Sequence, residues 1–586
     1  MHTRRTRGSE IDASVPVRDG ALLSGADVGR RMTDVGLIGS GPAIETVEAT
    51  LTDVGLATRD AGPAALADGP GVVVAPAGHG RFDRATDAAV SPWIAVELGG
   101  IGGYGGPAAA VTGLAPDGPC YRCLERRVAA NATTETEVTE PDAPTARVAG
   151  AIAGRAAVAL VAGEGSPVGT VTELPHADRT LLPVPTCGCG DGHVVGADPG
   201  ALDADKSVRL DAAVERAERA LDDRIGLLST VAEAESFPVP YYLATVSDTG
   251  GFSDATAPRQ AAGVAEDWNA ALMKALGEGI ERYAAAIYRE ATLTTGPADS
   301  VPGAVAPGRF VAEPRGDRWV PGMDLATGER VHLPAGAVVF PPPDGGGITT
   351  GLGLGTDGTG AIRAGVTEVI ERDATICSWY STAEPLGLTV DDERFATLTG
   401  RARSEGLAVT PLLVTVDVDV PVVAVAVHRG TEWPQFAVGS DAALDATEAA
   451  VGALCEALQN WTELRSMGPE EAGGAIGRYA TFPEPVRSFV DPERTVPAPA
   501  VSADIEDGEG PVAAIVDRLA AADLSAYVTR LTPRDVAAAG FEAVRVVVPE
   551  AQPLFTGEPT FGGRVETVAR DRGYEPRLDG PDHPYP

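Results

Sequence analysis

Three Ala-rich helical stretches carry acids on otherwise apolar faces, and any fold that buries those faces has to settle where the negative charge goes. Ala275-Leu-Gly-Glu278-Gly-Ile-Glu281-Arg282-Tyr-Ala places two glutamates at i, i+3, on one face of a helix. Glu368-Val-Ile-Glu371-Arg372-Asp373-Ala repeats the spacing, and a third helix offers Glu456-Ala-Leu-Gln459. A buried carboxylate without a partner costs on the order of several kcal/mol. A set of them therefore points to a bound cation. Hard oxygen ligands suit Mg2+, and Mg2+ held by few carboxylates usually completes its shell with phosphates. Gly351-Leu-Gly-Leu-Gly355-Thr-Asp-Gly-Thr-Gly360, just before the second helix, would let backbone approach a nucleotide. The competing reading pairs each glutamate with a nearby arginine on a solvated face.

The six cysteines fall at 120, 123, 187, 189, 377 and 455. Pro119-Cys120-Tyr-Arg-Cys123 and Thr186-Cys187-Gly-Cys189-Gly190 supply two tight pairs, whereas Cys377 and Cys455 stand alone in helical patterns. Neighbouring thiolates repel unless a cation neutralises them, and Zn2+ accepts four tetrahedrally. A closed, structural zinc site is the favoured reading; free or redox thiols and disulfides are the alternatives. Gly39-Ser-Gly41-Pro-Ala-Ile44 lies at a strand-to-helix turn. The third glycine of a dinucleotide fingerprint is absent and Pro42 removes one N–H donor, so the segment reads as a structural turn.

Between residues 34 and about 190, short apolar runs alternate with small, polar helical stretches. Asp34–Gly39, Val72–Ala75 and Trp93–Leu98 read as strands, and Ile44–Leu51 and Arg147–Ala162 as helices, which predicts a parallel α/β sheet. Residues 194–206 read as a linker. Beyond them, long helices at 266–290, 360–380 and 441–466 interleave with β-branched runs such as Leu412–Val418, Val422–Val427 and Val544–Val548. The expected division is an N-terminal extension (1–30), an α/β domain (31–195), a linker (196–206) and a mixed α+β domain (207–586).

Charge narrows the partners. Acidic residues number 83 against 46 basic ones, a formal net charge of −37, and Lys206 and Lys274 are the only lysines. That excess suits a protein kept soluble in concentrated salt, where the Debye length falls to about 3 Å at 1 M, and suggests a halophilic source; an ordinary acidic cytosolic protein is the alternative. It disfavours nucleic-acid binding, which needs a basic surface to release counterions. The N-terminal arginines and the Arg30-Arg31 pair are not followed by a long apolar run, so they do not read as a secretory signal. No uninterrupted apolar run of about 18 residues suggests a membrane span, and the expected location is cytoplasmic. The chain ends Gly580-Pro-Asp-His-Pro584-Tyr-Pro586, whose prolines would deliver the terminal carboxylate to a defined place; the alternative is a frayed terminus.

Together these motifs resemble the YcaO family, and the fused layout resembles the cyclodehydratases that build azoline rings in ribosomal peptides. The Glu278 helix is similar to the family's first ATP-binding motif, Glu368-x-x-Glu371-Arg372-Asp373 to the second, and Glu456-Ala-x-Gln459 to the third. Val547-Val-Pro-Glu-Ala-Gln-Pro-Leu554 resembles the family's late strand and turn, and the tail its C-terminal signature, with Asp582 where a proline is common. The segment around Cys120 resembles the Rossmann-type zinc-tetrad scaffold related to ubiquitin-activating enzymes and ThiF, which presents the peptide to YcaO. Two departures stand out. Residues 1–30 are too few for the winged-helix leader-peptide module of many such fusions, and Lys274 replaces a common serine.

The resemblance implies ATP-dependent activation of a backbone amide, with Cys, Ser or Thr of a precursor peptide closing onto the preceding carbonyl. Mg2+ would sit on Glu278, Glu281, Glu368 and Glu371, with Lys274, Arg372, Glu456 and Gln459 seating ATP. Structural Zn2+ would be held by Cys120, Cys123, Cys187 and Cys189, and the Pro586 carboxylate would accept a proton. A separate leader-peptide-binding protein and an oxidase are the implied partners, and a homodimer the implied assembly. Two other readings stay open: a thioamide-forming enzyme with an external sulfur donor, and a non-catalytic scaffold in which Lys274 has displaced ATP.

Overall fold

The computed structural model of the chain describes residues 34–585 apart from 133, 135, 176, 191, 198–201, 203–207, 473–476 and 506–509. Near its N-terminal end lies a seven-stranded sheet. Four parallel strands come first across it, Thr58–Asp60, Val35–Ile38, Gly71–Pro76 and Trp93–Ile101; Tyr104–Leu114, Thr170–Leu174 and Ala177–Thr180 continue it antiparallel. The expected parallel sheet is thus only half of it. The turn to the antiparallel half is made at Gly102 and Gly103, whose φ values of 53° and 83° suit a tight hairpin.

Helix α1 (Pro42–Asp53) starts at the Gly39–Gly41 turn. Helix α2 (Tyr121–Asn131) begins at Cys120 and carries Cys123 and Arg127. Helix α3 (Ala143–Ala162) is long and apolar enough to cross a membrane by length and composition, although Arg147 and Arg155 interrupt it. Here it buries Ala146, Ala149, Ala153 and Ala157 in the core beneath the sheet, with α1 beside it.

Beyond residue 207, three long helices each lie against a sheet of their own. Helix α4 (Trp268–Ala285) packs on a three-stranded antiparallel sheet of Leu228–Glu235, Tyr241–Val246 and Gln260–Val264. Helix α5 (Gly358–Trp379) covers Leu352–Gly355 and Glu542–Val547 of a six-stranded sheet. Helix α6 (Ala446–Glu471, broken at Gly468 ahead of Pro469) covers Phe436–Ala442 and Val422–His428 of a five-stranded sheet. Asp267, Asp357 and Asp445 cap the three N-termini, each accepting a backbone N–H of the first turn. The alanines on the packed faces have a geometric cause. Gly263, Gly353 and Gly439 lie so close to their helices that a Cβ there would collide with helix backbone. A short helix, α7 (Arg534–Ala539), precedes the last strand of the six-stranded sheet.

Several helix boundaries move, the end of the third long helix from 466 to Glu471 among them. The first long helix ends at Ala285, and Tyr288 continues as loop, its N–H bonded to Ser253 Oγ. The third starts at Ala446, because Asp441 and Ala442 complete a strand. The described part of the expected linker is docked: Val195 and Leu202 are buried, and Gly196 N donates to Arg530 O.

Candidate active site

The close helix-to-strand contact sets up the site. On each sheet a helix glutamate reaches back to an amide in or next to an edge strand: Glu278 Oε2 accepts from Ala262 N (2.5 Å), Glu368 Oε2 from Gly351 N (2.9 Å) and Glu456 Oε2 from Ser440 N (2.6 Å). One device is therefore used three times, and it aims all three helix faces at a common interior. Glu371, only 7% exposed, accepts from Ser440 Oγ at 2.7 Å and lies 3.7 Å from Arg372 Nε. Gln459 Nε2 donates to Glu463, which also accepts from Tyr241 Oη.

Burial raises these acids together. It pushes Glu281 up to about 8, with the charges of Glu368 and Glu278 adding, and Asp441 up to about 7, with Lys274 partly offsetting. Glu278, Glu368 and Glu456 are also raised by burial, and Glu371 strongly so, while Arg372 pulls Glu368, Glu371 and Glu456 back. Arg545, buried near Glu368 and Glu281, is lowered to about 10 by the same loss of water. The solvated-face alternative holds in part for Glu278 alone, which pairs with Arg282 at 2.5 Å. Acids outnumber the cations that reach them, an arrangement suited to a divalent ion and its ligand.

The carboxylates do not close on a single point. Among the described residues only the cysteine quartet brings three or more ligand atoms within 4.8 Å of one another. The acids form an open cradle, which fits Mg2+ sharing its shell with phosphates and water better than an all-protein cage. A cavity of about 450 Å³ opens beside it, lined by Tyr241, Leu243, Ala261, Ala262, Arg282 and Glu463. Lys274 is exposed at the edge, near enough to Asp441 and Glu456 to lower both.

Sequence reading missed Ser440, Asp441 and Arg545. Ser440 and Asp441 are neighbours on one edge strand and Arg545 lies on another strand; none carries a periodic signature, though Arg545 interrupts a β-branched run. Pro586 lies outside the described residues. Its neighbour Tyr585 is 3% exposed and its hydroxyl is raised by burial and by the charge of Glu371, so the tail reaches the acid cluster at least to residue 585. His583 bonds Phe555 O at 2.6 Å, and Gln552 N bonds Asp373 Oδ1 at 2.7 Å, which anchors tail and late turn to α5.

The four cysteines of the two pairs meet as expected. Sγ separations are 3.8 Å (Cys120–Cys123), 3.6 Å (Cys120–Cys187) and 3.5 Å (Cys123–Cys189), with no disulfide. Those are close to the edges of a tetrahedron with sulfur about 2.3 Å from its centre, so the quartet fits a soft divalent metal. Arg534 Nη2 donates to Cys189 Sγ at 3.0 Å and offsets thiolate charge from the other half of the chain.

Residues 262–552 match the family model described as YcaO cyclodehydratase, ATP- and Mg2+-binding. No curated protein matches the chain in sequence. Among solved structures, a heterocyclase in complex with substrate and cofactor is similar with a TM-score of 0.71 and 18% identity, over 94% of this chain and 84% of that one. The heterocyclase TruD is similar with a TM-score of 0.61 and 16% identity, over 92% and 82% respectively. At such identities the likeness is one of fold. All three acid-bearing helices fall inside the matched segment, and the chain therefore carries a YcaO cyclodehydratase domain over residues 262–552.

Proposed function

We propose that this chain is an ATP-dependent cyclodehydratase that forms azoline rings in a ribosomally made precursor peptide. A Cys, Ser or Thr side chain of the peptide attacks the preceding backbone carbonyl. The attacking side chain gives up its S–H or O–H proton, the carbonyl oxygen takes the γ-phosphoryl group of ATP and leaves as phosphate, and the amide nitrogen loses its proton, so one water is removed per ring and ADP is released. The observation that carries this reading is the excess of partly buried acids around buried Glu371, on three helices within the matched family segment.

Glu278, Glu281, Glu368 and Glu371 would hold Mg2+, which when bound neutralises charge on the transferring phosphoryl group. Arg372, Glu456 and Gln459 would seat the nucleotide beside them, and Lys274 would meet its phosphates as a point charge. The Pro586 carboxylate is assigned the role of proton acceptor. Cys120, Cys123, Cys187 and Cys189 would hold a structural Zn2+. Residues 31–195 are assigned as a ThiF-like peptide-docking scaffold and 207–586 as the catalytic domain. A separate leader-binding protein and an oxidase are the partners proposed, with a homodimeric assembly in a salt-rich cytoplasm.

The test is to incubate the purified chain in high salt with Mg-ATP and a Cys-rich peptide encoded beside its gene, then weigh the peptide. Loss of one water per ring is expected. An oxygen-to-sulfur mass change, or no change, contradicts the assignment.

A further inference from the structure

The face of α4 opposite its glutamates is anchored outside the site, in a buried ionic network. Arg127 on α2, Tyr283 on α4 and Asp535 on α7 have side chains wholly shielded from solvent. Arg127 Nη2 forms an ion pair with Asp535 Oδ2, while Arg127 Nη1 donates to Tyr283 Oη at 3.0 Å. Tyr283 Oη in turn donates to Asp535 Oδ2 at 2.6 Å. The tyrosine hydroxyl thus accepts from the cation and donates to the anion, so it is held from two sides. Arg127 also donates to the carbonyls of Leu182 and Pro183, and its guanidinium lies over Phe252, 5.4 Å from the ring centre. The anion is fixed as firmly. Val536 N donates to Asp535 Oδ1, and neighbouring Arg534 bonds Val184 O and Cys189 Sγ.

Tyr283 sits two residues past Glu281, about 200° around the helix, so whatever fixes its hydroxyl fixes both the rotation and the axial position of the glutamate face. We infer that Arg127, Tyr283 and Asp535 form a positioning device through which the N-terminal cysteine-bearing segment and α7 set the placement of Glu278 and Glu281. Tyr283 is a positioning residue; it does not line the acid cradle. A plain packing tyrosine would not need both partners of a buried ion pair. The inference rests on the nucleotide-binding reading of the cradle.

Removing Arg127 or Asp535 would strand a buried charge and threaten folding, so the informative variant is Tyr283→Phe. Tyr288→Phe is its control: Tyr288 lies in the same core, is equally buried and donates to Pro341 O at 2.8 Å, but touches neither Arg127 nor Asp535. Two quantities are read on the full chain: hydrogen exchange of the α4 amides without nucleotide, and the dissociation constant of a Mg2+-bound non-hydrolysable ATP analogue. Tyr283→Phe, which removes both hydrogen bonds of the hydroxyl, should speed exchange along α4 and weaken nucleotide binding at least about fivefold, the size of one buried hydrogen bond. Tyr288→Phe should leave both within about twofold of wild type. Equal effects from the two variants, or unchanged nucleotide affinity in Tyr283→Phe, would overturn the inference. If the wild-type chain bound no Mg2+-nucleotide, the proposed function would fail, and the exchange comparison alone would then decide this inference.

Discussion

Burial holds the Glu281 carboxyl at about 8 in the metal-free protein, with the charges of Glu368 and Glu278 adding, and a pH dependence follows from it. An unfolded chain ionises this group near 4.5. Between those values the folded state keeps a proton that the unfolded state has released, so stability of the metal-free form falls as pH rises through that window. A divalent ion needs the ionised form, so its binding expels the proton and strengthens as pH rises toward about 8. The thermal stabilisation given by Mg2+ with a non-hydrolysable ATP analogue should therefore be larger at about pH 8 than at about pH 6. A larger shift at the lower pH would contradict the assignment of Glu281. The glutamates were legible because i, i+3 acids on an Ala-rich apolar helix leave a periodic trace. Asp441, Ser440 and Arg545 leave none: their role arises from strands meeting those helices in space.

At the scale of elements, the repeated unit is a helix glutamate bonded to an amide of the edge strand beneath it or of the residue that leads into it. Gly351 is the most demanding member. Its φ of 89° disfavours any side chain, its N–H serves Glu368, and a Cβ would strike the Val546 carbonyl. Gly351→Ala should cost at least about 2 kcal/mol in denaturant unfolding, and should weaken Mg2+-nucleotide binding beyond that loss of stability. An unchanged midpoint would show that the loop has room the structure does not give it. Helices and strands with strong patterns could be read directly, as Val422–His428 and α5 show. The antiparallel half of the N-terminal sheet could not. Tyr104–Leu114 is rich in Gly and Ala, Thr170–Leu174 and Ala177–Thr180 are short and polar, and the Gly102-Gly103 hairpin sits between apolar residues with no polar break. The helix α3 was foreseen, but the close approach of its Gly150 and Gly154 to α1 depends on tertiary packing that no local pattern announces.

Across the whole molecule, the net charge of −37 sets the conditions under which the rest operates. Self-repulsion is long-ranged in dilute buffer and confined to neighbours at about 1 M salt. The melting temperature should therefore climb steeply between low salt and about 1 M NaCl and more slowly above it. A flat or falling profile would argue against a salt-adapted surface. The same acidity sharpens the contrast inside. Half-buried glutamates within so negative a molecule gain nothing from the surface, which leaves Arg282, Arg372, Arg545, Lys274 and a divalent ion to hold them. The most direct measurement is a crystal structure of the chain grown with Mg2+ and a non-hydrolysable ATP analogue, set beside binding to Glu371→Gln. The triphosphate should lie across the faces bearing Glu278, Glu281, Glu368 and Glu371, and the variant should lose that binding while its melting temperature holds. A nucleotide bound at the Gly39–Gly41 turn, or a variant that binds as wild type does, would contradict the account.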